Sequence, residues 1–191
     1  KGTYQDDNGY VVDTVYWFKY EPIQWRVLDE SKGLMLSEKI LDCQAFNETD
    51  LGQFRYDYSE SSIREWLNSD FCDVAFSETE KSKIALTECE NLGEDNDHST
   101  YVGKTTEDKV FLMSDTDVVN ASYGFLSDGK AYDELKQKTA TDYAKIQGIK
   151  AWNREEMQNV TSEKADELSD WWTRSIYTGV DGNQLANRVD V

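Results

Sequence analysis

Trp171-Trp172-Thr173-Arg174-Ser175 passes from apolar through polar to charged within five residues. Adjacent side chains on a strand point to opposite faces. If 171–176 is a strand, one tryptophan fills a core while the other caps a sheet edge or a loop. Arg174, beside two indoles, is expected to form a buried ion pair or to stack on a ring rather than to hold a ligand. Downstream, Asp181-Gly182 is a strong hairpin turn between Thr178-Gly179-Val180 and Asn183-Gln184-Leu185.

Upstream, the same reading finds short elements. Tyr10–Phe18 is rich in Val, Tyr and Trp and predicts a strand. Ile23-Gln24-Trp25-Arg26-Val27-Leu28 alternates, with Ile23, Trp25 and Val27 on one face, which predicts a half-buried strand. Gly33 closes a turn, and Leu34–Ser37 returns as the hairpin's second strand. Ser62 and Glu65 form a capping box that opens a short helix ending near Asn68, with Ile63, Trp66 and Leu67 as its stripe. Ser77 and Glu80 form a second box. Ile84–Cys89 is a strand candidate, and 90–106 reads as a long polar loop. Lys109–Ser114 is a near-continuous apolar run and predicts a central strand. Ser114 and Asp117 mark another helix start. Thr141–Gln147 predicts a helix closed by Gly148, and a helical turn is expected around Glu163–Leu168. Short strands and helices with long loops place the chain in the α+β class, as a single domain over 1–191.

Aromatics make up 13% of the chain against 38% for all apolar residues, so the core is expected to rest on Trp, Tyr and Phe. The 38 acidic residues outnumber the 20 basic ones, for a net charge of −18, which argues against nucleic acid and anionic lipid as partners. No stretch approaches the roughly 18 apolar residues of a membrane span, and none reads as a signal peptide. The start at Lys1-Gly2 suits a processed chain or an excised domain. Cys43, Cys72 and Cys89 are an odd set, so a fully paired disulfide framework is excluded; three reduced thiols, or one bridge and a free thiol, remain as alternatives.

Four blocks, Ile23–Leu28, Ser61–Asn68 followed by Ala75-Phe76-Ser77, Asp108–Ser114 and Trp171–Ser175, resemble in order and spacing a bacterial surface-protein family catalogued as a domain of unknown function. That family resembles the C-type lectin-like fold of formylglycine-generating enzymes and of variable receptor-binding proteins of phages. The resemblance implies small antiparallel sheets, short flanking helices, long ligand-presenting loops and an extracellular or cell-surface setting in gut-type Gram-positive bacteria. The chain departs from the family where Thr173 replaces the usual Leu and where Ser175-Ile176-Tyr177 replaces Ser-Pro-Gly. The family's closing Gly-Val-Arg-Pro strand is expected about where Arg188-Val189-Asp190-Val191 stands, so either that strand is absent or the chain is cut short.

Formylglycine-generating chemistry needs late cysteines, and none follows Cys89. A Cys89–His98 dyad has nothing to orient it, and a lone histidine argues against catalytic zinc. Glu94-Asp95-Asn96-Asp97 offers hard oxygen donors at a spacing usable for Ca²⁺, without the full EF-hand pattern, beside the plainer reading of a solvated acidic loop. Tyr101, Tyr123, Trp152 and Tyr177 fall in expected loops, where aromatics stack on sugars, anchor protein contacts or cap the core. Trp25, Trp66, Trp171 and Trp172 are assigned to the core or its margin. Asn47, Asn120 and Asn159 head glycosylation sequons, idle in a bacterial source. The expectation is a non-enzymatic module that binds a glycan or protein through its loops. A self-associating assembly module and a hydrolase hidden among the carboxylates are the alternatives.

Overall fold

The structure is a computed structural model and describes residues 6, 8–48, 57–95, 100–127, 133–149, 168–178 and 184–189. It is a mixed α+β arrangement of small sheets and short helices. The chain divides into two units: Lys1–Gln44 with Val119–Trp171 and Val189–Val191, and Ala45–Val118 with Trp172–Arg188. The turn at Asp181-Gly182 and the helical turn expected from Glu163 lie outside the described residues.

In the first unit, β1 (Trp25–Asp29) and β2 (Leu34–Ser37) form the expected antiparallel hairpin, with Gly33 at φ +65° in its turn. The expected face pattern does not persist. The register shifts between Val27 and Asp29, and an irregularity of this kind reverses which side chains face inward. Leu28 is therefore 8% exposed and Val27 57%.

The strand expected at Tyr10–Phe18 does not form. The chain turns at Val12-Asp13, where Asp13 has φ +61°, and runs on to β1 without a ladder. Composition suited this segment to a strand, but within it only Val11 stands at a β-bridge position. The helix predicted before Gly148 is present as α4 (Asp142–Ile146). Thr141 Oγ1 caps it by accepting from Ala144 N at 3.1 Å, and Gly148 has φ +102°. A parallel bridge joins Ile40 to Ala140, and an antiparallel one joins Thr139 to Leu168.

Lys138, one position before the bridged Thr139, is only 5% exposed. Among the described residues it pairs only with Glu38 Oε2, 4.0 Å away, which also accepts from Arg26 Nη2 at 3.2 Å. Burial holds the Lys138 amine below its ordinary value; Glu38 and Asp133 oppose that shift, while Arg26 adds to it. A buried, poorly paired ammonium is destabilising, and Arg26 keeps Glu38 paired without it. Lys138→Met is therefore expected to raise the melting temperature, by on the order of 1 kcal/mol of stability. The sign with pH follows from a folded pKa below the unfolded one. The wild-type penalty is complete below the folded pKa and fades as pH rises toward the ordinary lysine value, so the advantage of Lys138→Met should shrink in alkaline melts. A melt in which the variant is less stable at neutral pH would refute this.

In the second unit, the helix cap sits one residue earlier than expected. Ser61 Oγ accepts from Arg64 N at 3.3 Å, while Ser62 Oγ accepts from Glu48 N at 3.0 Å. The helix also continues past Asn68. α1 (Ser62–Trp66) passes through a π-helical turn, Leu67–Phe71, into α2 (Cys72–Ala75). The Asn68 side chain does not stop the helix because it is engaged elsewhere. Its Oδ1 accepts from Lys109 N at 2.9 Å, and its Nδ2 donates to Val110 O at 2.9 Å. The second capping box forms as predicted and opens α3 (Glu78–Lys81): Glu80 Oε2 accepts from Ser77 N at 2.8 Å.

The polar stretch 90–106 is not one long loop. β3 (Thr87–Cys89) pairs antiparallel with β6 (Thr106–Asp108). β4 (Leu92–Asp95) and β5 (Thr100–Val102) join β7 (Trp171–Thr178) and β8 (Gln184–Val189) in a four-stranded sheet ordered β5-β4-β7-β8. β4 runs antiparallel to β5 and parallel to β7. At the β4–β7 approach only glycine fits, since a Cβ on Gly93 would stand 2.5 Å from the carbonyl oxygen of Ile176.

Conversely, Lys109–Ser114 is not a strand: it opens in a bend at Lys109-Val110 and continues as irregular chain. Val110, Phe111 and Leu112 pack against the core of Phe46, Tyr58, Ile63 and Leu67, together with Trp66, Phe71 and Trp172. A continuous apolar run reports burial, and here the burial comes without a ladder. The box at Ser114 and Asp117 is reciprocal, at 2.8 and 3.1 Å, and opens the short 3₁₀ turn Asp117–Val119.

Candidate functional site

The anchor strand behaves as its period requires. Trp171 Nε1 donates to Lys136 O at 2.9 Å within the first unit, and the Trp172 ring stands edge-on to Phe46 at 6.0 Å within the second. Arg174 makes the expected buried ion pair, with Asp117 Oδ2 at 2.9 Å, and the ring beneath it is Phe111, not an indole. Trp25 and Trp66 are half-buried.

The expected loop aromatics separate. Tyr101 lies on β5 opposite Gly93, and Tyr177 lies on β7 opposite Glu94, so both are in strands on either side of β4. Tyr123 ends the 3₁₀ turn Ala121–Tyr123; it is half-buried, with Lys32 Nζ donating to its hydroxyl at 3.4 Å and lying 5.7 Å from its ring centre. Trp152 lies outside the described residues. Of the acidic run, Glu94 and Asp95 are strand residues of β4, and Asn96 and Asp97 lie outside the described residues. Among the described residues no group of three His, Cys, Asp or Glu side chains is placed to hold a metal ion. Cys43, Cys72 and Cys89 are all free thiols. Cys89 is buried, and that burial pushes its thiol up to about 11, which removes the thiolate a nucleophile needs.

Two strongly exposed aromatic residues stand within and just beyond the segment 10–18 that the sequence assigns to a strand. Trp17 is 91% exposed and Tyr20 is 85% exposed. Their neighbours explain this. Tyr16 stacks edge-on to Tyr10 at 5.0 Å, and its hydroxyl accepts from Val11 N at 2.8 Å. Phe18 lies edge-on to Tyr143 of α4 at 5.9 Å. Tyr10 is tied down in turn, with its N donating to Asp6 Oδ1 at 2.7 Å and its hydroxyl to Asp142 O at 3.2 Å. Partial burial first, then the carboxylates of Asp142 and Asp6, raise the Tyr10 pKa, which keeps this donor protonated. With Tyr16 and Phe18 held by the cluster, Trp17 is left pointing to solvent. Beyond it, Lys19 and Glu21 pair at 2.6 Å in full exposure. The signal in the sequence was the contiguous Tyr16-Trp17-Phe18, which no two-residue alternation accounts for.

The fold and surface thus define a domain of small α+β sheets with a pinned segment that holds large aromatic rings in solvent. The chain belongs to the family described as Domain of unknown function (DUF6273), which it matches over residues 30–189. No curated protein and no solved structure matches it. Among the described residues no helix is long and apolar enough to cross a membrane.

Proposed function

We propose that this chain is a non-enzymatic binding module of an extracellular bacterial protein, with a C-type lectin-like fold, that recognises a glycan or protein ligand through exposed aromatics. The observation that carries the reading is the exposure of Trp17, whose neighbours Tyr16 and Phe18 are held in ring contacts, with Tyr20 exposed beyond it. A large apolar ring held in water without packing is the form of a binding anchor, because its area and few rotatable bonds favour contact at low entropic cost.

The test is a glycan array and a surface-protein pull-down with the intact chain and with Trp17→Ala. At least one assay should give a ligand, and Trp17→Ala should weaken it by about thirtyfold, the effect of losing a hot-spot aromatic worth ~2 kcal/mol. The variant's melting temperature should not fall, since Trp17 is almost wholly in solvent. Blank results in both assays, or a ligand that Trp17→Ala binds as tightly, would sink the reading. The exposed cross-strand pair Val27 and Met35 favours self-association as a second reading. Light scattering that reports a monomer across a wide concentration range removes it.

A further inference from the structure

The second unit carries a polar cleft of about 570 Å³. Arg64, Glu65, Leu86, Glu107 and Lys109 line it, with Asp108 at its floor. The volume falls within the range of small-molecule sites.

The cleft is built around one fixed cation. Arg64 Nε donates to Asp108 Oδ1 at 2.8 Å and to Oδ2 at 3.1 Å, and Nη1 donates to Ser59 O at 3.1 Å. Asp108 is 1% exposed, so the guanidinium is anchored from below. Its Nη2 has no partner among the described residues, although the Arg64 side chain is 28% exposed. A guanidinium held in this way presents a planar donor edge at little further entropic cost. Lys109 adds a second cation, its Nζ resting on Lys81 O at 3.0 Å. Glu65 and Glu107 are exposed on the same cleft, and their carboxylates have no partner among the described residues. Leu86 supplies an exposed apolar rim.

We infer that this cleft binds a small zwitterion, the free amino acid or peptide terminus class. The Arg64 edge and Lys109 take the carboxylate, Glu65 and Glu107 take the ammonium, and an apolar side chain lies against Leu86. The overall charge supports this class over the alternatives. At −18 the chain repels a simple anion, whereas a zwitterion carries no net charge and gains from both signs presented together.

The test is a nuclear magnetic resonance titration of the intact chain with the dipeptide Leu-Gly, its N-acetyl form and its C-terminal amide. Leu-Gly should give saturable shifts on the cleft residues, and each blocked form should bind at least ~10-fold more weakly, the loss of a charge-assisted contact. Arg64 is part of the fold, so the variant to use is E65Q/E107Q, both exposed. It should keep the parent melting temperature and bind Leu-Gly at least ~10-fold more weakly. No saturable shift with Leu-Gly, equal binding of either blocked form, or undiminished binding by the folded double variant would each overturn the assignment.

Discussion

Arg174→Ala is expected to destabilise the protein by about 3–5 kcal/mol, the cost of breaking a buried pair by removing one member. The side chain joins three separate stretches of the second unit. Its Nη1 contacts Asp117 Oδ2 at 2.9 Å and donates to Leu112 O at 2.6 Å, while its Nε donates to Glu90 O at 3.3 Å. Its guanidinium also lies 5.7 Å from the centre of the Phe111 ring. Alanine leaves two carbonyls short of a donor and a carboxylate short of its cation, and opens a void beside Phe111. At roughly 2–4 °C per kcal/mol for a chain of this size, the melting temperature should fall by about 6–20 °C. Arg174→Lys should fall between the two, since an ammonium keeps the charge but cannot donate along several fixed directions. A calorimetric melt that places Arg174→Ala within about 2 °C of the parent would mean that Arg174 does not hold these stretches together.

Asp108→Ala should cost a similar amount, about 3–5 kcal/mol, for the complementary reason. Asp108 accepts from Arg64 Nε, from Asn68 Nδ2 at 3.3 Å and from Thr106 Oγ1 at 2.7 Å. Removing it leaves the Arg64 cation half-buried over a cavity. The decisive measurement is a double-mutant cycle with Arg64→Ala. The two losses should be strongly non-additive, with a coupling of at least ~1 kcal/mol, because the first substitution already removes what the second would break. Simple additivity would mean that the pair contributes nothing through its contact.

These two networks show which parts of the fold could be read from the residues. The motif stretches at 61–68, 108–114 and 171–175 are the stretches that Arg64, Asn68, Asp108, Asp117 and Arg174 tie together in the second unit. Their residue types therefore reported a real constraint. Caps and turns were legible because they depend on local chemistry: Ser77 with Glu80, Thr141, Gly33 and Gly148 stand where expected. Strand pairing was not legible, because it depends on a partner far along the chain. Leu92–Asp95 reads as polar loop but is accepted as a strand by Tyr177 and Thr178, whereas Tyr10–Phe18 has strand composition and forms no strand.

The same limit applies to the site. Trp17 is exposed because Tyr16 and Phe18 are held by Tyr10 and Tyr143; the contiguous aromatic run is visible in the sequence, but the distant partner Tyr143 is not. Thr173 is a different case. It is fully buried, and its Oγ1 has no hydrogen-bond partner among the described residues. A buried hydroxyl left unpaired costs stability that no residue-by-residue reading of the strand would register.

The parallel pairing of β4 with β7 also governs the order in which the molecule can form. The second unit is assembled from Ala45–Val118 and Trp172–Arg188, so a ribosome must extrude the whole intervening length before β4 can meet the strand that completes its sheet. The entropy of closing so long a loop grows only logarithmically with length, about 0.6 kcal/mol per doubling, so the final stability bears little of it. The rate bears more, because non-local pairing is slow to nucleate. Until Trp172 arrives to cover Phe46, the nascent 45–118 segment keeps part of its aromatic core uncovered, and that interval is when the chain is most open to association with other unfinished chains.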